Sequence, residues 1–142
     1  MGTPSELGNA ATATILAAFV KAELIVLVPF GDAHPYDLVV DNKTKFIRVQ
    51  CKSGWIKNNV IITNLNTRSR KGGREGYSGL ADIFAIYCAE LGKIYLVPVR
   101  KNLKSIYLRL SEPKNNQKKV INWARDYEFY PGLIDKIAES LP

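Results

Sequence analysis

Residues 36–52, with the sequence YDLVVDNKTKFIRVQCK, alternate apolar and polar side chains on both sides of a short polar linker. Such alternation is typical of strands that bury one face. The linker, Asn42–Lys45, is rich in residues that favour turns, so the stretch predicts a β-hairpin. If the linker closes symmetrically, Asp37 lies directly opposite Gln50, with Cβ atoms roughly 5 Å apart.

The same register sorts the side chains onto two faces of the predicted sheet. Lys52 follows Gln50 by two positions and shares its face, so Asp37, Gln50 and Lys52 form one polar group. The opposite face is apolar and carries Tyr36, Leu38, Val40, Ile47, Val49 and Cys51. A shift of one residue would turn Gln50 and Lys52 into the core, so the pattern fixes the register.

This polar group has the composition needed to bind a divalent cation and to hydrolyse a phosphodiester. Such hydrolysis uses a metal ion to stabilise charge on the phosphate and to activate water. Mg²⁺ prefers oxygen ligands, and Asp37 offers a carboxylate, Gln50 an amide oxygen and Cys51 its backbone carbonyl. Lys52 would orient the attacking water or neutralise the negative charge that develops on the phosphate.

The flanking sequence predicts the rest of a single α/β domain that spans residues 1–142. The run Thr3-Pro4-Ser5-Glu6 has the pattern of a capping box, and apolar residues at helical spacing extend the helix to about Lys21. The apolar run Leu24–Phe30 predicts a buried strand before the hairpin. Further strands are expected at 60–63, 83–88, 94–99 and 105–110, a loop at 64–79, and helices at about 117–125 and 133–140. This order predicts a mixed β-sheet flanked by helices.

The net charge of +7 is concentrated in two basic blocks. Residues 43–75 hold nine Lys or Arg residues against one acidic residue, and residues 93–125 hold the same numbers. Such blocks suit a phosphate backbone, although a solvated lysine-rich surface has the same composition. The candidate DNA contacts are Arg48, Lys57, Arg68, Arg70, Lys71, Arg74 and Tyr77. For Arg48 an ion pair with Asp41 is the alternative, and Asp82 is expected to cap or to form a turn.

The two cysteines and the lengths of the apolar runs indicate the cellular compartment in which the protein is expected. Cys51 and Cys88 lie in apolar runs without metal-ligand spacing, so both are expected to be reduced core thiols. No apolar run approaches the roughly 20 residues of a membrane span. The N-terminus shows no basic segment ahead of an apolar one, as a secretory signal would. We therefore expect a soluble cytoplasmic protein with no membrane partner.

The order of these motifs resembles the PD-(D/E)XK nuclease superfamily. Its pattern has an acidic residue at the start of the second strand and (D/E)-x-K on the third, after an opening helix. Here the pattern reads Pro35-Tyr36-Asp37 and Gln50-Cys51-Lys52, after a helix that bears Glu6. Gln50 replaces the usual carboxylate, as it does in a subset that includes small intron-encoded homing endonucleases. Further similarity to that subset is found at Pro29-Phe30-Gly31 and at Tyr36–Asp41.

The resemblance implies a restriction-endonuclease-like αβββαβ core and a Mg²⁺-dependent endonuclease of double-stranded DNA, with Mn²⁺ as an alternative ion. It implies that the catalytic residues are Glu6, Asp37, Gln50 and Lys52. Of these, Asp37 and Gln50 would bind the metal together with the Cys51 carbonyl. Because an amide carries one negative charge fewer than a carboxylate, Glu6 is the further candidate ligand. Its place in the capping box gives it an alternative, purely structural role.

Three functions are consistent with this sequence. The first is a homing endonuclease, which would work as a homo-oligomer, a dimer or a tetramer, because one site cuts one strand. The second is a Holliday-junction resolvase of the archaeal type, a class that usually keeps a carboxylate where this chain has Gln50. The third is a non-catalytic DNA-binding module, in which Gln50 marks the loss of a former nuclease activity.

Overall fold

The computed structural model describes residues 3–31, 33–65, 76–112 and 120–142. Within these ranges the chain forms α1 (Pro4–Lys21), β1 (Ile25–Leu27), β2 (Leu38–Asp41), β3 (Phe46–Lys57), β4 (Val60–Asn64), β5 (Ile83–Cys88), β6 (Lys93–Pro98), β7 (Ser105–Arg109), a 3₁₀ helix (Ala124–Asp126) and α2 (Leu133–Glu139). Neither α-helix in these ranges is both long and apolar enough to cross a lipid bilayer.

Helix α1 begins at the predicted capping box. The Thr3 backbone N–H donates to Glu6 Oε2 at 2.7 Å, and the Thr3 hydroxyl accepts from the Glu6 N–H at 3.2 Å. Ala11, Ile15 and Phe19 recur along one side of the helix and are buried. The opening helix is therefore confirmed, with the predicted last residue.

The β2–β3 hairpin closes in the predicted register, with Asp41 opposite Phe46. In the turn between them, the Asn42 side-chain oxygen accepts hydrogen bonds from the N–H groups of Thr44 at 3.1 Å and Lys45 at 2.7 Å. The apolar face is confirmed, because its buried members are Leu38, Val40, Ile47, Val49 and Cys51, while Tyr36 is half-buried.

Strand β3 lies at the centre of a seven-stranded sheet. Its first residues pair with β2, its middle residues, Val49–Gly54, pair in parallel with β5, and its last residues pair with β4. Strand β1 extends the sheet beyond β2, β6 pairs with β5, and β7 pairs with β4, all antiparallel. The predicted mixed sheet is therefore confirmed.

Two hydrophobic cores cover opposite faces of β5 and β6, because alternate residues of these strands belong to different cores. The first core lies between one face of the sheet and the two α-helices. The second lies between the other face and strands β4 and β7. At Gly54, where β3 passes from one partner to the next, a Cβ would come within 2.9 Å of the Ile61 and Ile86 Cγ2 atoms. This close approach requires glycine.

Strand β1 corrects the prediction of a buried strand over Leu24–Phe30. Only Ile25–Leu27 join the sheet, and the predicted burial is wrong, because Ile25 is 46% exposed and Phe30 is fully exposed. Among the described strands β1 pairs with β2 alone, so it forms an edge of the sheet. A short apolar run does not distinguish an edge strand from a central one.

The predicted helix at about 117–125 is wrong in its described part. Residues 120–123 are not helical, because the Arg109 N–H donates to the Asn122 carbonyl at 2.8 Å and holds this segment beside β7. Only the 3₁₀ helix follows, and the first three residues of the predicted helix lie outside the described ranges.

The other predicted elements are found close to their expected bounds. These are the strands β4 to β7 and the final helix α2. Of the predicted loop at 64–79, Asn64 ends β4, residues 76–79 form turns, and residues 66–75 lie outside the described ranges.

Candidate active site

Asp37 lies immediately before β2 and is held against the middle of β3 by two hydrogen bonds. Its backbone N–H donates to the Val49 carbonyl at 2.8 Å, and its carboxylate Oδ2 accepts from the Cys51 N–H at 2.8 Å. Strand pairing begins at the next residue, where Leu38 lies opposite Val49. The Asp37 carboxylate therefore bonds to the peptide that links Gln50 to Cys51.

Burial has the largest effect on the pKa of this carboxyl group. Burial raises the pKa of the Asp37 carboxyl above its ordinary value, although the Cys51 hydrogen bond and the Lys52 charge act in the opposite direction. Burial, together with the nearby Asp37 charge, also raises the pKa of the Cys51 thiol. A protonated thiol is a poor metal ligand, because metals bind the thiolate. Cys51 is therefore suited to a cation only through its backbone carbonyl.

Gln50 and Lys52 lie on the face of β3 opposite the buried Cys51, and both are half-buried. The Gln50 Nε2 atom lies 3.4 Å from the Cys51 carbonyl oxygen, which is a long and weak hydrogen bond. This bond restrains the Gln50 side chain only weakly.

Lys52 is more firmly held than Gln50. Its Nζ atom donates to the Tyr77 hydroxyl at 3.0 Å and lies 5.0 Å from the centre of the Tyr77 ring. The register partners of Gln50 and Lys52 on β5 are Phe84 and Ile86, which are buried in the second core. The polar side chains of β3 therefore lie at the border of an apolar region, where electrostatic interactions are stronger than in water.

Arg48, on the same face of β3, forms an ion pair with Asp82. Its Nη2 atom donates to Asp82 Oδ1 at 3.0 Å, and its Nε and backbone N–H both donate to Asp82 Oδ2. A further bond from Nη1 reaches the Gly79 carbonyl at 2.9 Å. The alternative pairing of Arg48 with Asp41 is wrong, because the Asp41 carboxylate accepts instead from the Lys43 N–H.

The strength of this ion pair is reflected in the pKa of Asp82. Burial would raise this pKa, but hydrogen bonds and the positive charge from Arg48 outweigh burial and hold it below the ordinary value. Asp82 was expected to cap or to form a turn. Through its bonds with Arg48 it also holds the segment before β5 against the first half of β3.

The residues around Asp37 fit a magnesium ion by chemistry. Asp37 offers a carboxylate oxygen, Cys51 a backbone carbonyl and Gln50 an amide oxygen, and these are the hard ligands that Mg²⁺ takes together with water. In the described part of the chain, no group of three or more His, Cys, Asp or Glu side chains is arranged to hold a metal. The described site thus brings one acidic residue, Asp37, to this set.

Of the remaining predicted site residues, Tyr77 reaches the site through Lys52, and the others lie apart from it or outside the described ranges. Glu6 is exposed and hydrogen-bonds to Thr3 in the capping box. Lys57 is exposed at the end of β3. Tyr77, predicted to contact DNA, contacts Lys52. The candidates outside the described ranges are Arg68, Arg70, Lys71 and Arg74.

Sequence reasoning missed the Lys52–Tyr77 and Arg48–Asp82 contacts. Their partners are 25 and 34 residues apart in the chain. Neither pair belongs to a local motif, and only the fold brings the segment before β5 beside β3. The one available signal was a tyrosine and an aspartate that both precede the apolar run of the strand predicted at 83–88.

The structure thus combines a mixed sheet packed against helices, an acidic residue before β2 and the sequence Gln50-Cys51-Lys52 on β3. A sequence profile described as PD-(D/E)XK endonuclease matches residues 3–130, and the chain belongs to this family. The restriction-endonuclease-like fold expected from the sequence is therefore confirmed.

Comparison with solved structures gives two matches to report. The bacterial homing endonuclease I-Ssp6803I has a similar fold, with a TM-score of 0.69 and 23% identity, over 98% of this chain and 94% of that one. A Holliday-junction resolvase, Hjc from Archaeoglobus fulgidus, matches at a TM-score of 0.39 and 16% identity, over 68% of this chain and 86% of that one. No curated protein sequence matches this chain.

Proposed function

We propose that this protein is a Mg²⁺-dependent endonuclease that hydrolyses phosphodiester bonds of double-stranded DNA at specific sites, as homing endonucleases do. The observation that carries the proposal is the Asp37 carboxylate bonded at 2.8 Å to the Cys51 N–H. This bond gathers a carboxylate, an amide and an ammonium group around one short segment of β3. Family membership supports nuclease activity, and the fold shared with a homing endonuclease agrees with the finer assignment.

Each of these residues has a distinct task in the proposed reaction. Asp37, Gln50 and the Cys51 carbonyl would hold the magnesium ion, which when bound stabilises charge on the phosphate and activates water. Lys52 would orient the attacking water and neutralise negative charge on the phosphate. The fixed Asp37–Cys51 hydrogen bond keeps the carboxylate in place before the ion arrives, so binding costs little reorganisation.

Glu6 is proposed as an additional ligand that leaves the capping box when metal and DNA bind. The Gln50 amide supplies no negative charge, so a second acid would strengthen the site. The alternative is that Glu6 serves only to cap α1, the role that its hydrogen bonds with Thr3 support.

The direct test is cleavage of supercoiled plasmid, and then of long DNA that carries candidate target sites, in the presence of Mg²⁺ or Mn²⁺. Asp37→Ala and Lys52→Ala are each expected to abolish cleavage while folding and DNA binding persist. Asp126→Ala and Lys136→Ala, which alter exposed residues of the same types, serve as controls. Asp37→Ala or Lys52→Ala protein that cuts at the wild-type rate would overturn the assignment.

Two further measurements complete this test. Glu6→Gln keeps a capping side chain but removes its charge; an unchanged Mg²⁺ requirement would leave Glu6 with the capping role alone.

Cleavage of both strands by one complex requires at least two subunits, so we propose a homo-oligomer, dimeric or tetrameric. Sedimentation equilibrium that shows a monomer in the DNA complex would contradict this part of the proposal.

The non-catalytic DNA-binding module is a second candidate, favoured by one observation. The proposed magnesium ligands are Asp37, Gln50 and the Cys51 carbonyl. Among the described residues, Asp37 is the one acidic side chain in this set. Tight and salt-sensitive DNA binding without cleavage in either metal would select this function. Preferential cleavage of four-way junctions over linear duplex would instead identify a resolvase.

A further inference from the structure

We propose that Tyr77 is a positioning residue for Lys52, and not the DNA contact that its place beside the basic loop suggests. The inference rests on the proposed nuclease function and assigns a task within the same site. The hydrogen bond of 3.0 Å from Lys52 Nζ to the Tyr77 hydroxyl and the ammonium position 5.0 Å from the ring centre carry it. Both contacts act on the same ammonium group.

Tyr77 is itself fixed, so it can impose a position on a flexible partner. Its ring packs edge-on against the buried Phe84, with ring centres 5.3 Å apart. Its carbonyl accepts hydrogen bonds from the N–H groups of Leu80 at 2.9 Å and Ala81 at 3.0 Å. The main chain and the side chain of Tyr77 are therefore both restrained.

The segment that carries Tyr77, residues 77–82, also contacts β3 at a second point. Arg48 binds Asp82 through its side chain and backbone, and binds the Gly79 carbonyl at 2.9 Å. Arg48 and Lys52 lie four residues apart on one face of β3, with Gln50 between them. The segment is thus attached to β3 on both sides of Gln50.

This arrangement leaves Lys52 competent for chemistry. An ammonium group has three N–H donors, and the Tyr77 hydroxyl takes one of them, so two remain for water and a phosphate oxygen. A lysine side chain has many rotamers, and restricting them before the substrate binds reduces the entropy lost in the reaction. Tyr77 therefore places the ammonium group without consuming its capacity to bind.

The test compares Tyr77→Phe with Tyr107→Phe under single-turnover conditions. Phenylalanine keeps the ring that packs on Phe84 and removes only the hydroxyl that Lys52 contacts. Tyr107 is 57% exposed on β7 and serves as the matched control. We expect Tyr77→Phe to lower the maximal cleavage rate constant by about 10-fold or more, with DNA affinity unchanged and Tyr107→Phe at the wild-type rate.

A merely structural role predicts a different result for Tyr77→Phe. Partial unfolding lowers the amount of DNA cut in one turnover but leaves the rate constant of the folded fraction unchanged. An unchanged rate constant in Tyr77→Phe overturns the proposal. Weaker DNA binding at an unchanged rate constant also overturns it and makes Tyr77 a DNA contact.

A second readout does not depend on cleavage. In protein labelled with ¹³C-lysine, the Lys52 side-chain signals, assigned by their loss in Lys52→Arg, should be displaced from the position of exposed lysines by the Tyr77 hydroxyl and ring. Tyr77→Leu should move them to the position of exposed lysines, and signals that do not move would overturn the contact. If the wild-type protein cuts no DNA, the proposed function fails, and the positioning role of Tyr77 in cleavage fails with it. Cleavage by wild type and Tyr77→Phe at equal rates removes this inference alone.

Discussion

At the scale of single residues, the residue at position 50 determines the total charge of the proposed magnesium ligands. Gln50 contributes an amide oxygen, so the set formed with Asp37 and the Cys51 carbonyl has one formal negative charge. Carboxylate oxygens are the protein ligands through which Mg²⁺ is usually bound. A magnesium ion in this site would therefore be held less tightly than in a site with two carboxylates.

This charge leads to a prediction for Gln50→Glu. The substitution preserves side-chain length and adds a second carboxylate, so the Mg²⁺ concentration for half-maximal cleavage should fall by about 5-fold or more, which is roughly 1 kcal/mol of binding free energy. The measurement is a magnesium titration of the cleavage rate, with Gln50→Ala as the control that removes the oxygen. A higher magnesium requirement in Gln50→Glu than in wild type would contradict the proposed ligand role.

The Arg48–Asp82 pair gives a prediction for stability and its pH dependence. At neutral pH, Asp82→Asn should lower the free energy of unfolding by about 1–2 kcal/mol, because Arg48 loses charged hydrogen bonds at a partly exposed site. The folded state lowers the pKa of Asp82, so this stabilisation is present above the ordinary value of 3.8 and disappears as the pH falls through the folded value.

Urea unfolding of the wild type and of Asp82→Asn from pH 7 to pH 3 provides the measurement. The difference between the two proteins should shrink as the pH falls below 3.8, because the Asp82 carboxyl takes up its proton in the unfolded chain before it does so in the folded protein. Asp126→Asn, on the exposed 3₁₀ helix, is the control. A difference that stays constant across this range would show that the charge of Asp82 is not the source of the stability.

Residue-scale prediction from the sequence succeeded where a local pattern constrains the side chain. Alternation along β3 set Gln50 and Lys52 apart from the apolar face, which includes Cys51. The contacts that restrain this group were beyond local patterns, because Tyr77 and Asp82 reach β3 through tertiary folding. Tyr77 and Asp82 are visible in the sequence, but the β3 residues that they contact could not be predicted from it.

At the scale of secondary-structure elements, β3 does most to organise the molecule, and Gly54 is its most constrained point. Strand β3 pairs with three other strands along its 12 residues. Near Gly54 its partner changes from β5 to β4, and side chains from both strands crowd the backbone. A glycine in the middle of a strand pattern is a sequence signal for such an approach.

Gly54→Ala should therefore destabilise the protein by about 1–3 kcal/mol, as overpacking of a core does. The added methyl group would lie 2.9 Å from the Ile61 and Ile86 Cγ2 atoms and 3.1 Å from the Thr63 hydroxyl. Gly8→Ala is the matched control: it lies in α1 with open space around its Cα and should stabilise by about 0.5–1 kcal/mol. Thermal unfolding of both variants checks the pair, and equal effects would contradict the packing argument.

Element-scale prediction was accurate for α1, the β2–β3 hairpin, β4 to β7 and α2, and it failed over Leu24–Phe30 and near Trp123. The capping box and helical spacing of α1 and the alternation of the β2–β3 hairpin identified the elements that carry the site. The apolar run Leu24–Phe30 looked like a core strand because composition does not report neighbours. The predicted helix near Trp123 failed because its backbone bonds to β7 instead, a tertiary effect that no local propensity contains.

At the scale of the whole molecule, the charge of +7 should govern DNA binding. Contacts to DNA phosphates release counterions, so four contacts would lower the affinity by about 100-fold between roughly 50 and 200 mM salt. Fluorescence anisotropy of labelled duplex at several salt concentrations measures this slope. Lys57→Ala should reduce the slope by about one, and an affinity that is independent of salt would contradict binding through the basic blocks.

The exposed edge strand β1 has a consequence for handling the purified protein. Its apolar side chains and the backbone edge that no described strand covers form a surface on which other chains can add as strands, and the net positive charge opposes this by repulsion between molecules. The high-salt washes that strip nucleic acid from a basic protein also shorten the Debye length to about 3 Å at 1 M, and they remove this repulsion. A buffer that removes nucleic acid therefore also favours aggregation. Light scattering should rise with salt and fall when Ile25 and Leu27 are replaced by lysine.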